Sequence, residues 1–378
     1  MIVRLEPRIR DYAWGSRTAL AELAGRPSPT ESPEAEMWMG AHEASPCVVG
    51  HHDDRTTLDK LIAADPIGML GETTVTQFQR RLPFLLKLLA PEQALSIQAH
   101  PSREEALTAP TGTYVDNWPK PEAWLTVTEF EMFAGTLAFD EIRSAAGELQ
   151  CQRFGELIEA AAGSGVKQLL RSILQAEESV QRELTEEVVR ACGDRRDHPH
   201  YEAIHRIAAQ FPGDVGAAVL LTMRHHVVPA NSYVFLPAGV LHAAVHGVTV
   251  EILANSDNVV RAGLTPKRID ITELLRIVDV HRPVVVEEPP SGVRVHSFPV
   301  DVPYFQLHQV NPGTQLEEVP GRNKPRIVLC IGGTITLDDG VEQIELGPAQ
   351  SCFVPASVDH LHCSGDGTAY VATTGLVG

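Results

Sequence analysis

Two segments in the second half of the chain follow the same pattern, Phe-x-Pro-Ala-x-x-x-His. They are Phe235-Leu-Pro-Ala-Gly-Val-Leu-His242 and Phe353-Val-Pro-Ala-Ser-Val-Asp-His360. Each begins at the end of a hydrophobic strand, turns at a proline, and reaches a histidine where the next strand would start. Such a turn aims the histidine inward from that next strand. The repeat therefore predicts two β modules of similar architecture within one chain.

Turns of this kind recur in cupin-type jelly rolls, and the surrounding sequence also favours β structure. Residues 1–140 contain short apolar runs broken by Pro and Gly, with candidate strands at 81–90 and 95–100. Strand-like runs return after residue 227 and continue as short strands to the end of the chain. The sequence thus predicts a mainly β protein that contains two cupin-type jelly-roll barrels.

The stretch between these β regions has a helical pattern. Apolar residues at positions 166, 169, 170, 173 and 174 follow the spacing of one helical face, and positions 204, 207, 208 and 211 repeat it. Glu178 and Arg182 are spaced to pair across one turn of an exposed helix. We therefore predict that an α-helical domain is inserted into the first barrel.

The predicted organisation has four segments. Residues 1–140 and 227–290 form the two parts of a catalytic barrel, and residues 141–226 form the helical insertion. Residues 291–378 form a C-terminal barrel. A chain of 378 residues should hold two or three domains, since about 100–200 residues make one.

Charge and cysteine content exclude several classes of partner. A net charge of −18 argues against binding to nucleic acid or to an anionic membrane. The N-terminus lacks the layout of a signal peptide, and no apolar run approaches the roughly 20 residues of a membrane span. The six cysteines contain no Cys-x-x-Cys pair, which favours reduced thiols in the cytoplasm and a metal site without thiolates. No strong self-association stripe is visible, so a monomer is expected.

Gln98 and His100 are the first candidate metal ligands. On a strand with period two they point to one face, and Ala99 points to the other. Glu122 and His242 follow downstream in Lys120-Pro-Glu122 and in the first copy of the repeat. Two imidazoles, a carboxylate and an amide oxygen suit zinc or a similar divalent ion. With 16 histidines in the chain, chance pairs also occur, and His51-His52 and His225-His226 are interpreted as such pairs.

Other polar residues near these ligands have two possible interpretations. Ser96 is either a buried hydroxyl bonded to backbone or a contact in the pocket wall. Lys87, within an apolar run, either snorkels to the surface or meets an anion in the pocket. Arg261 and Lys267 are either solvated charges or two local cations for a phosphate-bearing substrate.

The second copy of the repeat lacks a ligand pair on its preceding strand, Arg326-Ile-Val-Leu-Cys-Ile331. His360 and His362 are therefore interpreted as packing or surface histidines. This predicts one metal per chain, in the first barrel only.

Together these motifs resemble the type I mannose-6-phosphate isomerase family, zinc-dependent enzymes of cupin fold. The resemblance covers most of the chain. Its most specific part is the run Ala254-Asn-Ser-Asp-Asn-Val-Val-Arg-Ala-Gly-Leu-Thr-Pro-Lys267. The other motifs that carry it are Tyr12-Ala-Trp-Gly15, Glu36-Met-Trp-Met-Gly40, Leu86-Lys-Leu-Leu89, Ser96-Ile-Gln-Ala-His-Pro101, Lys120-Pro-Glu122 and Pro237-Ala-Gly-Val-Leu-His242.

The resemblance implies a role for each matching residue. It implies one Zn²⁺ bound by Gln98, His100, Glu122 and His242, and a small-molecule sugar phosphate as substrate. It implies that the catalytic residues are Arg261, Lys120 and Glu251, and that the substrate contacts are Ser96, Lys87, Asp257, Lys267 and Trp14. Two departures from the family pattern are Pro119, where His is usual, and Ala244, where Tyr is usual.

The implied reaction interconverts mannose 6-phosphate and fructose 6-phosphate through a cis-enediol. A guanidinium does not realistically lose its proton, so Arg261 fits an electrostatic clamp better than a base. Glu251 or Lys120 is then the proton shuttle, and the sequence does not choose between them. Three alternative functions stay open: a related zinc isomerase that acts on another or unphosphorylated aldose, an Fe(II) cupin oxygenase, and a non-catalytic sugar-binding barrel.

Overall fold

The computed structural model describes residues 1–50 and 55–375, without the side chains of residues 314 and 315. The pair His51-His52 lies outside the described residues. Five sheets and twelve helices make up this part of the chain. The prediction of a mainly β protein that also contains helices is confirmed. None of the described helices has the length and apolar character needed to cross a membrane.

The strands of the first 290 residues are β1 Val3–Leu5, β2 Arg8–Arg10, β3 Glu36–Met39, β4 Val48–Val49, β5 Thr56–Thr57, β6 Phe84–Leu89, β7 Ile97–Ala99, β8 Glu122–Thr126, β9 Phe130–Thr136, β10 Met223–Val228, β11 Tyr233–Leu236, β12 His242–His246, β13 Thr249–Ala254, β14 Val260–Gly263 and β15 Val286–Glu287. Those of the remaining chain are β16 Val295–Ser297, β17 Gln306–Val310, β18 Gly313–Glu318, β19 Arg326–Gly332, β20 Ile335–Asp338, β21 Gln343–Leu346, β22 Ser351–Val354, β23 His362–Gly365 and β24 Thr368–Thr373.

The helices are α1 Ala19–Leu23, α2 Leu58–Ala64, α3 Pro66–Leu70, α4 Glu72–Phe78, α5 Arg103–Thr108, α6 Phe139–Glu148, α7 Gln152–Ala161, α8 Val166–Leu174, α9 Glu178–Gly193, α10 Pro199–Gln210, α11 Gly216–Leu220 and α12 Ile271–Ile277. Helix α8 coincides with the predicted apolar face, all of whose residues are buried. Glu178 and Arg182 form the predicted ion pair on α9, with 3.6 Å between Oε1 and Nη2.

Two antiparallel sheets form the first β module. One has the strand order β10-β9-β12-β7-β14, and the other has the order β15-β11-β8-β13-β6-β3-β2. Side chains from both sheets share one apolar cluster, in which Trp124 and Leu236 of the larger sheet meet Met132 and Ala244 of the smaller. The two sheets therefore pack face to face, and inward-pointing side chains of either sheet can meet between them.

The outer faces of this module are also covered. Ile97, Ala99 and Phe133 on the smaller sheet share a core with helices α6–α11. On the larger sheet, Leu86 and Ile252 belong to a core that includes residues of the C-terminal sheets. Because the central strands β6, β8 and β13 are buried along their whole length, their polar inward-facing residues stand out against apolar runs.

The C-terminal β module consists of a six-stranded sheet and a four-stranded sheet. Their orders are β1-β22-β19-β24-β17-β16 and β18-β23-β20-β21. The N-terminal strand β1 pairs with β22, so the first residues of the chain belong to this C-terminal sheet and not to the first module. The predicted segment boundaries did not include that exchange.

Two features differ from the sequence-based expectation for secondary structure. Residues 1–140 contain five short helices, and α12 follows β14 where only strands were expected. Three of these helices, α3, α5 and α12, begin at a side chain that caps the helix. Asp65 accepts a hydrogen bond from the Gly68 N–H at the start of α3, and Ser102 and Glu105 form a capping box on α5. Pro and Gly in this region therefore mark helix ends as well as turns between strands.

Candidate metal centre

Strand β7 places two candidate ligands on one face of the smaller sheet. Ile97 and Ala99 pack into the helical core, so Gln98 and His100 point the other way, towards the larger sheet. Gln98 is directly opposite His242 on β12 and Arg261 on β14. Directly opposite residues share a face, so the predicted grouping of Gln98, His100 and His242 follows from strand register.

Glu122 reaches the same place from the larger sheet, at the first position of β8. Its Oε2 lies 3.2 Å from His100 Nε2, and its Oε1 lies 3.1 Å from His242 Nε2. All three side chains are buried. They are the one group of three such ligands found among the described residues, with every ligand atom within 4.8 Å of the others.

Backbone carbonyls fix the orientation of both imidazoles. His100 Nδ1 lies 2.8 Å from the carbonyl oxygen of Asn258, and His242 Nδ1 lies 2.9 Å from that of Val240. A carbonyl accepts only, so each Nδ1 carries the proton and each Nε2 presents a lone pair towards Glu122. The side-chain amide of Asn258 donates to the carbonyl oxygens of Asp116 and Trp118, which holds this loop in place.

The three inward atoms fit a bound cation. Both carboxylate oxygens of Glu122 and Nε2 of His242 are buried without a hydrogen-bond partner among the described residues. Lone pairs that face one another at about 3 Å repel unless a positive charge lies between them. Nitrogen and oxygen donors in a buried cluster suit a divalent metal, and zinc accepts this combination.

Ionisation of the cluster agrees with that interpretation. Burial, with a further contribution from Lys120, lowers the pKa of His100 to about 4, so its ring is neutral at neutral pH. Burial alone would raise the pKa of Glu122, but Lys120 and the two imidazoles hold it well below its usual range. The Lys120 Nζ lies 3.5 Å from Glu122 Oε2 and 3.3 Å from His100 Nε2. A neutral imidazole and an ionised carboxylate are the forms that bind metals.

A second polar row crosses the inner face of the larger sheet. The row consists of four residues on neighbouring strands, each directly opposite the next: Trp38 on β3, Lys87 on β6, Glu251 on β13 and Trp124 on β8. The Lys87 Nζ lies 3.1 Å from Glu251 Oε2 and 3.7 Å from Glu36 Oε2. It also lies 4.7 Å from the centre of the Trp38 ring. Lys87 is therefore a buried, paired lysine and does not snorkel to the surface.

The two ionisable groups of this row respond differently to burial. Burial would lower the pKa of Lys87, but Glu251 and Glu36 raise it above its ordinary value. Burial raises the pKa of Glu251, and Lys87 opposes that change. The indole Nε1 of Trp124 donates to Glu251 Oε1 over 3.3 Å. This row thus holds a carboxyl group with perturbed acidity near the three metal-ligand candidates.

The remaining site residues predicted from the sequence differ in their exposure and in their contacts. Arg261 is partly exposed beside Gln98, and burial lowers the pKa of its guanidinium. Ser96 is partly buried next to β7, and Trp14 packs against the apolar cluster between the sheets. Asp257 lies at the surface, where its Oδ1 is 3.4 Å from His42 Nε2. Lys267 is exposed, and the structure does not bring it into contact with the others.

Three residues of this region were missed by the sequence analysis. Glu36 accepts a hydrogen bond from the indole of Trp38 and faces Lys87. Asn258 holds His100, and His42 holds Asp257. The alternation of Glu36 and Trp38 in a buried run was a usable signal, because both must face the same side of a strand. The contact of a distant backbone carbonyl with His100 left no signal in the sequence.

The two departures from the family pattern lie close to the centre. Ala244 is two residues beyond His242 on β12 and belongs to the cluster between the sheets, against which Trp14 and Leu95 pack. Pro119 is buried immediately before Lys120. Ala244 therefore lies in the same apolar cluster as the indole of Trp14. The family pattern usually has a tyrosine side chain at this position.

Comparisons with known proteins agree with this geometry. A family model described as phosphomannose isomerase type I, catalytic domain, matches residues 2–137. The mannose-6-phosphate isomerase of Escherichia coli (strain K12) is 31% identical over 381 residues, which cover 95% of this chain and 96% of that protein. The mannose-6-phosphate isomerase of Saccharomyces cerevisiae is 33% identical over 315 residues, or 73% of each protein.

Solved structures give the same result. A mutant phosphomannose isomerase from Salmonella typhimurium has a TM-score of 0.91 and 28% identity, covering 99% of this chain and 100% of its own. A mannose 6-phosphate isomerase bound with zinc and yttrium has a TM-score of 0.90, with the same identity and coverage. Since a relative above 30% identity extends over nearly the whole chain, this chain belongs to the type I phosphomannose isomerase family.

Proposed function

We propose that this chain is a zinc-dependent isomerase that interconverts mannose 6-phosphate and fructose 6-phosphate. One observation carries the proposal. The buried lone pairs of His100, Glu122 and His242 converge in a chain that is similar from end to end to proteins named mannose-6-phosphate isomerase. The name of the zinc-bound structural neighbour supports zinc as the metal.

The metal would be held by His100, Glu122 and His242, with the amide oxygen of Gln98 as the fourth ligand. Gln98 faces His242 across the sheet and is partly exposed, so the centre has a side that opens towards solvent. When bound there, a zinc ion polarises the substrate oxygens as a Lewis acid. We infer one zinc per chain, because no second such group occurs among the described residues.

Proton transfer between C1 and C2 of the sugar needs a base close to the metal. Glu251 is the better placed of the two candidates, because burial raises its pKa and Trp124 and Lys87 fix its position. Lys120 lies against two of the ligands, and we assign to it the stabilisation of charge on the substrate oxygens. In this scheme Glu251 takes the proton from C2 of mannose 6-phosphate and returns it to C1 of the cis-enediol, while a hydroxyl proton moves from O2 to O1.

Arg261 supplies a fixed positive charge in this scheme. It faces the substrate side of β14 beside Gln98, and its guanidinium stays protonated although burial lowers its pKa. A cation at that position stabilises the negative charge that develops on the enediolate. We infer that Arg261 acts electrostatically and not as a base.

Binding of the sugar phosphate is assigned to the rim of the centre. Ser96, Trp14, Asp257 and Lys267 are the candidates, and Lys267 contributes the exposed cation. Lys87 fits a different role, since its ammonium already has two carboxylate partners inside the sheet. We propose that Lys87 holds Glu251 and does not contact the phosphate.

We also infer that the two face-to-face pairs of sheets are cupin-type jelly rolls. The repeated motif supports this, because its two copies end the corresponding strands β11 and β22. Helices α6–α11 fill most of the segment 141–226, which supports a helical domain there. A monomer in the cytoplasm stays a prediction from the sequence.

The activity is tested with purified protein and mannose 6-phosphate in a coupled assay for fructose 6-phosphate. Turnover that depends on the phosphate group, together with exchange of substrate hydrogen in D₂O, is expected for an enediol mechanism. Equal turnover of unphosphorylated mannose would support the related isomerase for another aldose instead. Absence of any interconversion with zinc-loaded protein would contradict the proposal.

A further inference from the structure

The C-terminal β module has a residue that corresponds to the metal-ligand candidate Glu122, and it is Arg326. In the first module Leu236 lies directly opposite Glu122, and in the second Val354 lies directly opposite Arg326. Leu236 and Val354 occupy the same position of the repeated motif, just before its proline. By strand register, the buried guanidinium of Arg326 therefore occupies the position in the second module that the buried carboxylate of Glu122 occupies in the first.

Two further correspondences support this equivalence. The segments Lys120-Pro-Glu122 and Lys324-Pro-Arg326 share the Lys-Pro pair and differ in the sign of the charge that follows it. In the first module the carbonyl of Val240 accepts from a ligand histidine, and in the second the carbonyl of Val358 accepts from Arg326 Nη2. Val240 and Val358 are again the same position of the repeat. The second module thus keeps the architecture of the site but reverses the sign of its charge.

Arg326 has no ion-pair partner within the part of the chain that the structure describes. Its side chain is 0% exposed, and neither Nε nor Nη1 has a hydrogen-bond partner among the described residues. Asp359 and Glu318 act on Arg326 through space, but neither forms an ion pair with it among the described residues. Asp359 is instead engaged with the exposed Arg322 at 2.7 Å and 2.8 Å. Burial lowers the pKa of Arg326 to about 10, so the group is still a cation at neutral pH. An unpaired buried cation is strongly unfavourable, because it has lost water without gaining a partner.

An unpaired hydroxyl group lies opposite the same guanidinium. Thr373 lies one step beyond the pair of Ile327 and Ala372, which puts it opposite Arg326 on the same face. The Oγ1 atom of Thr373 is buried and has no hydrogen-bond partner among the described residues. A hydroxyl can donate, so this group and the N–H groups on Nε and Nη1 of Arg326 offer several donors to an anion held between them.

We propose that the C-terminal module binds a small inorganic anion between Arg326 and the hydroxyl group of Thr373. The anion would occupy the place that corresponds to the metal centre of the first module. Its donors are buried to 1% exposure or less, which favours a halide such as chloride over a phosphate carried by a sugar. This binding site is independent of the proposed isomerase activity.

Bromide is the probe, because it replaces chloride and can be located by anomalous diffraction. Thermal unfolding of the full zinc-loaded chain is measured while sodium bromide replaces sodium gluconate at constant ionic strength. The variants are Arg326→Met, which keeps the length of the side chain without its charge, and Thr373→Val, which removes only the hydroxyl. Arg182→Met is the control, an exposed arginine of helix α9 far from this site in sequence.

The proposal predicts a saturable rise of a few degrees in the unfolding midpoint of the wild type and of Arg182→Met. Arg326→Met should show no saturable rise, and Thr373→Val should need a several-fold higher bromide concentration. Crystals in bromide should show an anomalous peak within hydrogen-bond distance of the guanidinium. An equal response of the wild type and Arg326→Met, or no peak at Arg326, would overturn it. If Arg326→Met does not fold, an unchanged response of Thr373→Val would overturn it as well.

Discussion

The ammonium of Lys87 lies 3.1 Å from the carboxylate of Glu251, and both side chains are buried on adjacent strands of one sheet. Glu36 approaches the same ammonium from the other side at 3.7 Å. Lys87 and Glu36 thus act on Glu251, the proposed proton shuttle, with opposite charges. The lysine lowers the pKa of Glu251, and Glu36 raises it.

Replacing these two neighbours should therefore move the pH profile in opposite directions. In Lys87→Met the pKa of Glu251 rises, so the acid limb of kcat/KM should shift to higher pH if Glu251 acts as a carboxylate base. In Glu36→Gln it should shift to lower pH. The measurement is the pH dependence of kcat/KM, with Lys60→Met, an exposed lysine, as control. A Lys87→Met profile of unchanged shape with only a raised KM would instead indicate phosphate contact.

Replacing Arg261 by Met should reduce turnover while the zinc content stays at the wild-type level. Arg261 lies beside Gln98 but is not among the three convergent ligands, so its loss removes stabilising charge and not a metal bond. By analogy with the loss of one preorganised donor, kcat should fall about 10²–10³-fold. Turnover and zinc per chain are measured on the same preparation. A rate near that of the wild type would remove the proposed role.

Replacing Asn258 by Ala should weaken zinc binding although its side chain touches no ligand. The amide of Asn258 holds the loop whose carbonyl orients His100. Partners of this kind typically contribute 10–100-fold, or about 1.4–2.7 kcal/mol, to metal affinity. Competition with a chelator measures the affinity, and Asn117→Ala, an exposed asparagine of the neighbouring loop, is the control. Equal zinc affinity in both variants would contradict this role of the loop.

Stability should fall in mild acid because of His308 in the C-terminal module. Burial, with Lys324 and His296 nearby, lowers the pKa of His308 to about 4, against about 6.5 in the unfolded chain. The unfolded state therefore binds the proton first, so the stability present above pH 6.5 declines as the pH falls towards 4. The loss is at most about 3 kcal/mol. Denaturant titrations of His308→Gln should show a flatter pH dependence than those of the control His360→Gln, an exposed histidine.

The shared face of Gln98, His100 and His242 could be predicted from the sequence because strand geometry and turn chemistry are local. Gln98 and His100 share a face through the period of a strand, and the proline turn fixes where His242 begins its strand. The same rules place the helical run of α8. Resemblance to a family added the roles of Arg261 and Lys120, which no local pattern supplies.

Other features depend on contacts between distant parts of the chain. The pairing of β1 with β22 joins the two ends of the sequence, and it buries a short strand that has no periodic signal of its own. The carbonyl of Asn258 reaches His100 over 158 positions of sequence. Lys87 could be assigned to a phosphate or to the surface, but its carboxylate partners became evident only from the register of three strands.

The most direct test of the metal centre compares the two histidines of the repeated motif. His242 faces Glu122 inside the first module, and His360 occupies the same motif position but is exposed. Zinc per chain and turnover of mannose 6-phosphate are measured for His242→Ala and His360→Ala prepared in parallel. The account predicts that His242→Ala loses both zinc and turnover, and that His360→Ala retains about one zinc per chain and wild-type turnover, because one metal-binding site belongs to the first module. Full activity of zinc-free His242→Ala would contradict it.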